Sequence, residues 1–425
     1  MKRIIYLLLA LTFALVSCND DNGGRRLQRE DITLQMPQEG WVAEINKPFV
    51  IHVTCNIAEG ITFRWFLDDQ YISNEKDLVY TFKRTGNQHL KLMAIQGKSF
   101  FEYGVIVDVK GKETPDGNQS PYITKVLDYL PAPSPYTNKY PPYYYGDTPM
   151  DMNNKVLAAI GNGNMGVITL GGYGGYVVVG FDHTIENKPG KRDFRILGNV
   201  LDTYDNAAAS DINRGGAEPG IIMVAYDSNK NGRPDDDEWC EIVGSAHHHF
   251  EDEPWYDLAV TARNDLKTIK NYAITYFVPE KEPEQEDDWN TYLRWEDNQG
   301  KTGYIAKNGY YSQSYYPQWL LKDQLTFTGT RLPQNAIDNS GTGEVFYGYS
   351  FAFGYADNQK NEDPRATIDI DWAVDSNGRK AQLPGVDFIK IYTGVHQRYG
   401  RLGGCSTEIT GIEDLHLLGE DIDTY

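Results

Sequence analysis

Short runs of β-branched and aromatic residues, closed off by Gly, Asn, Asp or Pro, recur from residue 31 almost to the C-terminus, with no long helical periodicity between them. Such a chain folds as strands turned back on one another. Branched and aromatic side chains suit a pleated surface, and the punctuating residues supply turn dihedrals. In residues 31–111 the runs are 49–53, 62–66, 78–82, 89–93 and 104–109, the spacing of a small β-sandwich. Residues 112–121 carry Pro, Gly, Asn and charge and read as a linker. From 122 to 425 the runs at 176–181, 221–226, 272–278, 325–328, 367–372 and 388–393 predict one large β domain, with 153–160 as its best short helix. No propeller or solenoid period appears, so the expected class is all-β: an Ig-like sandwich, then a jelly-roll-like sandwich.

The N-terminus sets the compartment. Met1-Lys2-Arg3 precedes an apolar run over residues 4–16, which ends in Leu15-Val16-Ser17-Cys18. The run is too short to span a bilayer and ends in small residues beside a cysteine, so residues 1–17 read as a signal peptide with a lipobox. Cys18 is then the lipidated first residue of the mature chain, and residues 18–30 form a polar tether. The lipid is the expected membrane anchor. Asn19-Asp20-Asp21 resembles the surface-export signal of Bacteroidota lipoproteins, which implies the outer face of the outer membrane.

The formal net charge is −20, and removing Lys2 and Arg3 with the signal peptide brings the mature chain to about −22. Such a surface repels phosphate backbones, which argues against nucleic acid as a partner. With Cys18 lipidated, Cys55, Cys240 and Cys405 cannot all pair; Cys55 reads as a buried thiol, and a Cys240–Cys405 bridge stays open.

The sharpest chemical motif is residues 227–238. Asp227, Asn229, Asn231, the Arg233 carbonyl, Asp235 and Glu238 fall at the ligand positions of a twelve-residue calcium loop, with Gly232 at its bend. A strand precedes it, so this is a calcium loop in a β context with a structural role, against the alternative of an Asx-rich turn. Gly161-x-Gly163-x-x-Gly166 has dinucleotide spacing, but a strand follows where the phosphate site needs a helix N-terminus. Gly171-Gly172-Tyr173-Gly174-Gly175 reads as a hairpin feature with close backbone approach. His247-His248-His249 are adjacent and cannot all converge on one ion, so they read as a solvated loop. Tyr310, Tyr311, Gln313, Tyr315, Tyr316 and Trp319 form the best candidate ligand platform, with packing under a long loop as the alternative. His183 and His396 lie beside strand ends, each a ligand contact or a structural histidine. No Gly-x-Ser-x-Gly or His-Glu-x-x-His occurs. The expectation is a binding protein, not an enzyme.

Two resemblances add to this. Cys55 followed by Trp65 resembles the cysteine and tryptophan of an Ig fold, with Leu92 and Met93 where the second cysteine would stand; the segment looks like the PKD-type modules of bacterial surface proteins. In the large domain, GGYGGYVVVGFDH (171–183), EPGIIMVAYDSNKNGRPDDDEW (218–239), YYPQW (315–319), FGYADN (353–358), IDIDWAV (368–374), GVDFIKIYTGVHQ (385–397) and STEITGIEDLH (406–416) together resemble Bacteroidota surface lipoproteins found with outer-membrane cobalamin-uptake systems. That resemblance implies corrinoid capture and hand-over to a TonB-dependent transporter. Calcium-stabilised glycan binding, or a purely adhesive role, is the alternative.

Overall fold

The computed structural model describes residues 27–424, apart from 38–39, 45–46, 58–59, 69, 83–85, 98, 111–118, 202–213, 284–285 and 401–402. The signal peptide, Cys18, most of the tether and most of the linker lie outside the described residues. Among the described residues no helix is long and apolar enough to cross a membrane.

The N-terminal unit is two facing sheets. One orders strands Ile32–Gln35, Pro48–Cys55 and Leu78–Thr81; the other orders Val42–Glu44, Ser99–Lys110, Gly86–Gln96, Thr62–Leu67 and Gln70–Ser73. Alternation does the sorting: in Pro48–Cys55, Phe49, Ile51 and Val53 are buried while their neighbours are exposed. Trp65 is fully buried at the centre, across from Leu92 in the register, and its indole N–H donates to the Glu75 carbonyl at 3.1 Å. The packing of an Ig-like core therefore persists without a disulfide. Cys55 is half-buried rather than buried, with its thiol 3.3 Å from the Ile57 carbonyl.

The larger unit is built on a six-stranded antiparallel sheet, ordered Ala373–Val374, Trp239–Ile242, Gly220–Ala225, Gly385–Thr393, Tyr176–Glu186, Lys125–Leu130. Its central strands are covered on both faces, which is why they read as continuous apolar runs. Ile222 and Val224 enter the core under helix Pro149–Ile160, while Ile221 and Met223 enter the core on the other face. The helix runs four residues further toward the N-terminus than the sequence predicts, because Thr148 caps it and Pro149 occupies the first turn. The Gly161–Gly166 segment follows this helix and leads into strand Ile168–Thr169, so no helix N-terminus faces it. The run at 367–372 is only partly a strand: Thr367–Ile368 pairs, and Asp369 then caps a 3-10 turn over Ile370–Trp372.

A second sheet, ordered Thr302–Ile305, Leu293–Asp297, Ile269–Phe277, Gln324–Arg331, carries the cavity described below. The class is all-β, as expected, with an N-terminal sandwich followed by further β-sandwich sheets. Cys240 and Cys405 are free thiols in separate clusters of the core, which closes the question of a bridge between them.

Candidate functional site

The Gly171–Gly175 turn, the second sheet and the segment after Thr393 enclose a cavity of about 700 Å³. The sheet supplies its aromatic wall. In Ile269–Phe277 the side chains of Tyr272, Ile274 and Tyr276 share one buried face, set by an irregularity between Ile269 and Tyr272 where Asn271 adopts φ +54°. Tyr173, at the tip of the glycine turn, stands edge-on to Tyr272 at 5.0 Å. Trp295 and Tyr304 come from the next two strands, and Tyr310 from the loop beyond.

One polar chain runs through this wall. The Tyr272 hydroxyl lies 2.8 Å from Asp297 Oδ2 and 3.0 Å from His396 Nδ1. Asp297 can only accept, so Tyr272 spends its single proton there and must accept from His396. That fixes the proton on Nδ1 and leaves a lone pair on Nε2. Burial and the nearby Arg331 charge push the His396 pKa down to about 4, so the ring is neutral at physiological pH. Trp295 packs edge-on against it at 4.5 Å.

The cavity's charged lining is Lys301, Lys307, Arg331 and Arg398 against Asp297 and Glu344. Lys307 pairs with Glu282, and Arg331 and Lys301 share Asp265, at 2.8 and 3.5 Å.

The expected Tyr/Trp platform separates into three parts. Tyr310 is exposed and lines the cavity, as does His396. Tyr311 and Gln313 turn to the 133–139 segment instead: Gln313 Nε2 donates to the Pro135 carbonyl at 2.6 Å, and Tyr311 meets Tyr136 edge-on at 5.2 Å. Tyr315, Tyr316 and Trp319 are core, with Trp319 stacked on Tyr129 at 6.0 Å. Their faces are therefore closed to ligand, and packing beneath the loop is the better account of them. The sequence missed Tyr173, Tyr272, Tyr276, Trp295 and Arg331. Alternation of Tyr272 and Tyr276 marked a buried face without showing that it borders a cavity.

The residue 227–238 loop is closed by Asx-type turns, and its carboxylates are not among the described residues that converge within 4.8 Å of one another. Asp227 Oδ1 and Oδ2 accept from the Asn231 and Gly232 amides at 2.9 and 2.8 Å, and Gly232 takes φ +79°. Asn229 and Asn231 donate to Asp235 Oδ2, while Glu238 accepts from the Ser228 and Asp235 amides. The donor set is oxygen-rich, which suits a hard cation. Burial, with the Asp387 and Glu238 charges, raises the Asp227 pKa.

A tighter acidic group lies elsewhere. Glu218, Asp357 and Glu408 bring carboxylate oxygens within 4.8 Å of one another, the one such trio among the described residues. Asp357 and Glu408 are buried. Glu408 Oε1 accepts from the Ser406 hydroxyl at 2.9 Å, and Glu218 Oε1 from the Ser406 amide at 2.9 Å. Burial and mutual repulsion raise Glu218 and Asp357 well above the ordinary range, and burial takes Glu408 to about 7.

The histidines at 183 and 247 are structural. His183 bridges Asp182 and Asp414 at 2.8 and 2.7 Å. His247 bridges Glu241 and the Tyr355 hydroxyl at 2.7 and 2.8 Å, so it departs from the solvated loop expected, while His248 and His249 are exposed.

Comparison with known families assigns one part of the chain. Residues 31–96 match the PKD-like domain. The match takes in the N-terminal sandwich except its Ser99–Lys110 strand, and the cavity lies outside it. No curated protein sequence matches the chain. Among solved structures, a SusE-like protein shares 9% identity over 91% of this chain and 97% of its own, with a TM-score of 0.19. SGBP-B of a Bacteroides ovatus mixed-linkage glucan utilization locus, solved with a mixed-linkage heptasaccharide, shares 12% over 86% and 100%, at 0.17. A quinonprotein alcohol dehydrogenase-like protein of Bacteroides thetaiotaomicron shares 14% over 22% of this chain and 20% of its own, at 0.16.

Proposed function

We propose that the chain is a lipid-anchored bacterial surface protein, not an enzyme, that captures a ring-bearing nutrient in the cavity, with the PKD-like domain as a spacer. The observation that carries this is the cavity itself: about 700 Å³, with accessible aromatic faces from Trp295, Tyr304 and Tyr310 backed by the buried Tyr173, Tyr272 and Tyr276, and with amides from Asn290 and Gln334. Flat apolar faces with a few fixed polar groups suit large rings with polar fringes. The block resemblance favours a corrinoid, passed on to a TonB-dependent transporter, and the neutral His396 imidazole offers a nitrogen lone pair compatible with one. A glycan is the second reading, favoured by the exposed faces of Tyr304 and Tyr310 in the lining. Titration calorimetry of residues 19–425 with cyanocobalamin and with an oligosaccharide panel separates the two. Submicromolar cobalamin binding, weakened in Trp295→Ala, is the expected result; binding confined to a glycan moves the assignment, and heat from neither ends the capture reading.

We also propose that the 227–238 loop takes a structural calcium ion, held by Asp227, Asn229, Asn231, the Arg233 carbonyl, Asp235 and Glu238. A saturating ligand at a hundredfold over its Kd adds roughly 2.7 kcal/mol. Calcium should therefore raise the melting temperature by several degrees over chelator. Asp227→Ala with Glu238→Ala should abolish that response; identical wild-type curves in calcium and chelator would sink the assignment.

A further inference from the structure

We infer that the cavity holds a subsite for an anionic oxygen group on its ligand, centred on Arg331. The inference rests on the capture reading above and narrows its ligand to a ring compound bearing a carboxylate, phosphate or sulfate.

Arg331 is 3% exposed, yet it lines the cavity. Its Nη2 donates to Asp265 at 2.8 Å and reaches the Lys267 carbonyl at 3.4 Å. Its Nε is buried and has no partner. A guanidinium carries five fixed donors, and leaving one buried and unbonded carries the full desolvation penalty of that donor, larger for a charged group. Proteins seldom keep such a group except where something else completes it. The guanidinium is held in place by the Tyr272 ring beneath it, 5.1 Å away. A bound acceptor would therefore meet a fixed donor.

The charge of that donor says which acceptor. Asp265 is the one carboxylate paired with both Arg331 and Lys301. Arg398 is exposed, lines the same cavity, makes no ion pair among the described residues, and bonds only the Gly400 carbonyl at 3.5 Å. Opposing them are Asp297 and Glu344. The Asp297 carboxylate is already engaged: Oδ2 receives the Tyr272 hydroxyl, and Oδ1 receives the Gln299 and Lys301 amides at 3.0 and 2.7 Å. Lys307 is neutralised by Glu282. Glu344 is exposed and also lines the cavity, so the lining as a whole is balanced in charge, and the preference for an anion lies in the buried, unbonded Arg331 donor. Guanidinium groups match the geometry of carboxylate and phosphate oxygens.

The test uses ligand pairs that differ in the acidic group. The mature chain is titrated calorimetrically with trigalacturonate and its full methyl ester, and with cyanocobalamin and dicyanocobinamide, which lacks the phosphodiester together with its ribose and base, so that in the second pair only a gap that closes with salt counts as the ion pair. In one pair the acid-bearing member should bind at least ~10-fold tighter at low salt, and the gap should shrink severalfold in 0.5 M NaCl, as screening of an ion pair requires. Arg398→Gln, at an exposed position that tolerates substitution, should narrow the gap severalfold. Arg331→Gln should abolish it, with circular dichroism establishing that this variant folds. Equal affinities within every pair that binds would overturn the anionic subsite and leave the capture reading standing. Heat from no member of either pair would overturn the anionic subsite, and heat from none of the oligosaccharide panel as well would overturn the capture reading with it.

Discussion

Gly171→Ala should destabilise the protein by about 4 kcal/mol or more, far beyond the usual cost of a surface glycine. Gly171 takes φ +69°, and a Cβ there would sit 1.9 Å from the Ala132 carbonyl oxygen. The obstacle is backbone and cannot rotate away. Nor can the turn move freely: the Gly171 carbonyl accepts from Thr393 Oγ1 at 2.8 Å, and the Gly174 amide donates to the Thr393 carbonyl at 3.0 Å. Relieving the clash breaks these bonds or displaces residues 131–133. Gly190 is the control. It takes φ +74° with nothing within 4 Å, so Gly190→Ala should show only the left-handed backbone cost of about 1 kcal/mol. Denaturant melts of the two variants measure the difference. If Gly171→Ala falls within 1 kcal/mol of Gly190→Ala, the close approach is not real. Because Gly172 and Tyr173 line the cavity, surviving Gly171→Ala protein should also lose ligand binding.

That turn shows where the sequence was legible. Four glycines around one tyrosine announce close backbone approach, and strands such as 176–181 and 388–393 were visible because their composition alone determines a pleated, two-sided burial. The cavity was not visible. Tyr310 and Tyr315 stand in one short aromatic run, yet Tyr310 is exposed on the cavity while Tyr315 is sealed in the core. Local sequence cannot distinguish them, because the difference lies in what packs opposite: for Tyr315 it is Tyr292, 5.3 Å away in the fold and distant in the chain. The acidic trio was hidden for the same reason. Glu218, Asp357 and Glu408 belong to three blocks that each look like ordinary polar punctuation, and only the tertiary fold brings them within 4.8 Å.

The trio makes the second large prediction: Glu408→Gln should stabilise the protein increasingly as pH rises. All three carboxyls have folded-state pKa values raised above their ordinary values, with burial as the leading cause. The native state therefore holds protons that the unfolded chain releases. Stability from Glu408 is fully present below 4.5 and is lost as pH rises through about 7. At about 1.4 kcal/mol per pH unit, a rise from 4.5 to about 7 corresponds to a few kcal/mol. Glutamine keeps an acceptor at Oε1 for Ser406 and Thr169 but carries no charge at any pH. Variant and wild type should therefore melt alike near pH 4.5, diverge progressively from there to about pH 7, and stay apart above it, with the variant higher by several degrees at pH 8. His183, whose two aspartates raise it to about 9, loses its own stabilisation between 6.5 and 9, but it does so in both proteins and cancels in the difference. A melting-temperature difference that is flat from pH 4.5 to 8 would mean that Glu408 is not forced to ionise against its two neighbours. A difference that shrinks with pH would mean that its negative charge is used, which would point to a compensating cation at the trio.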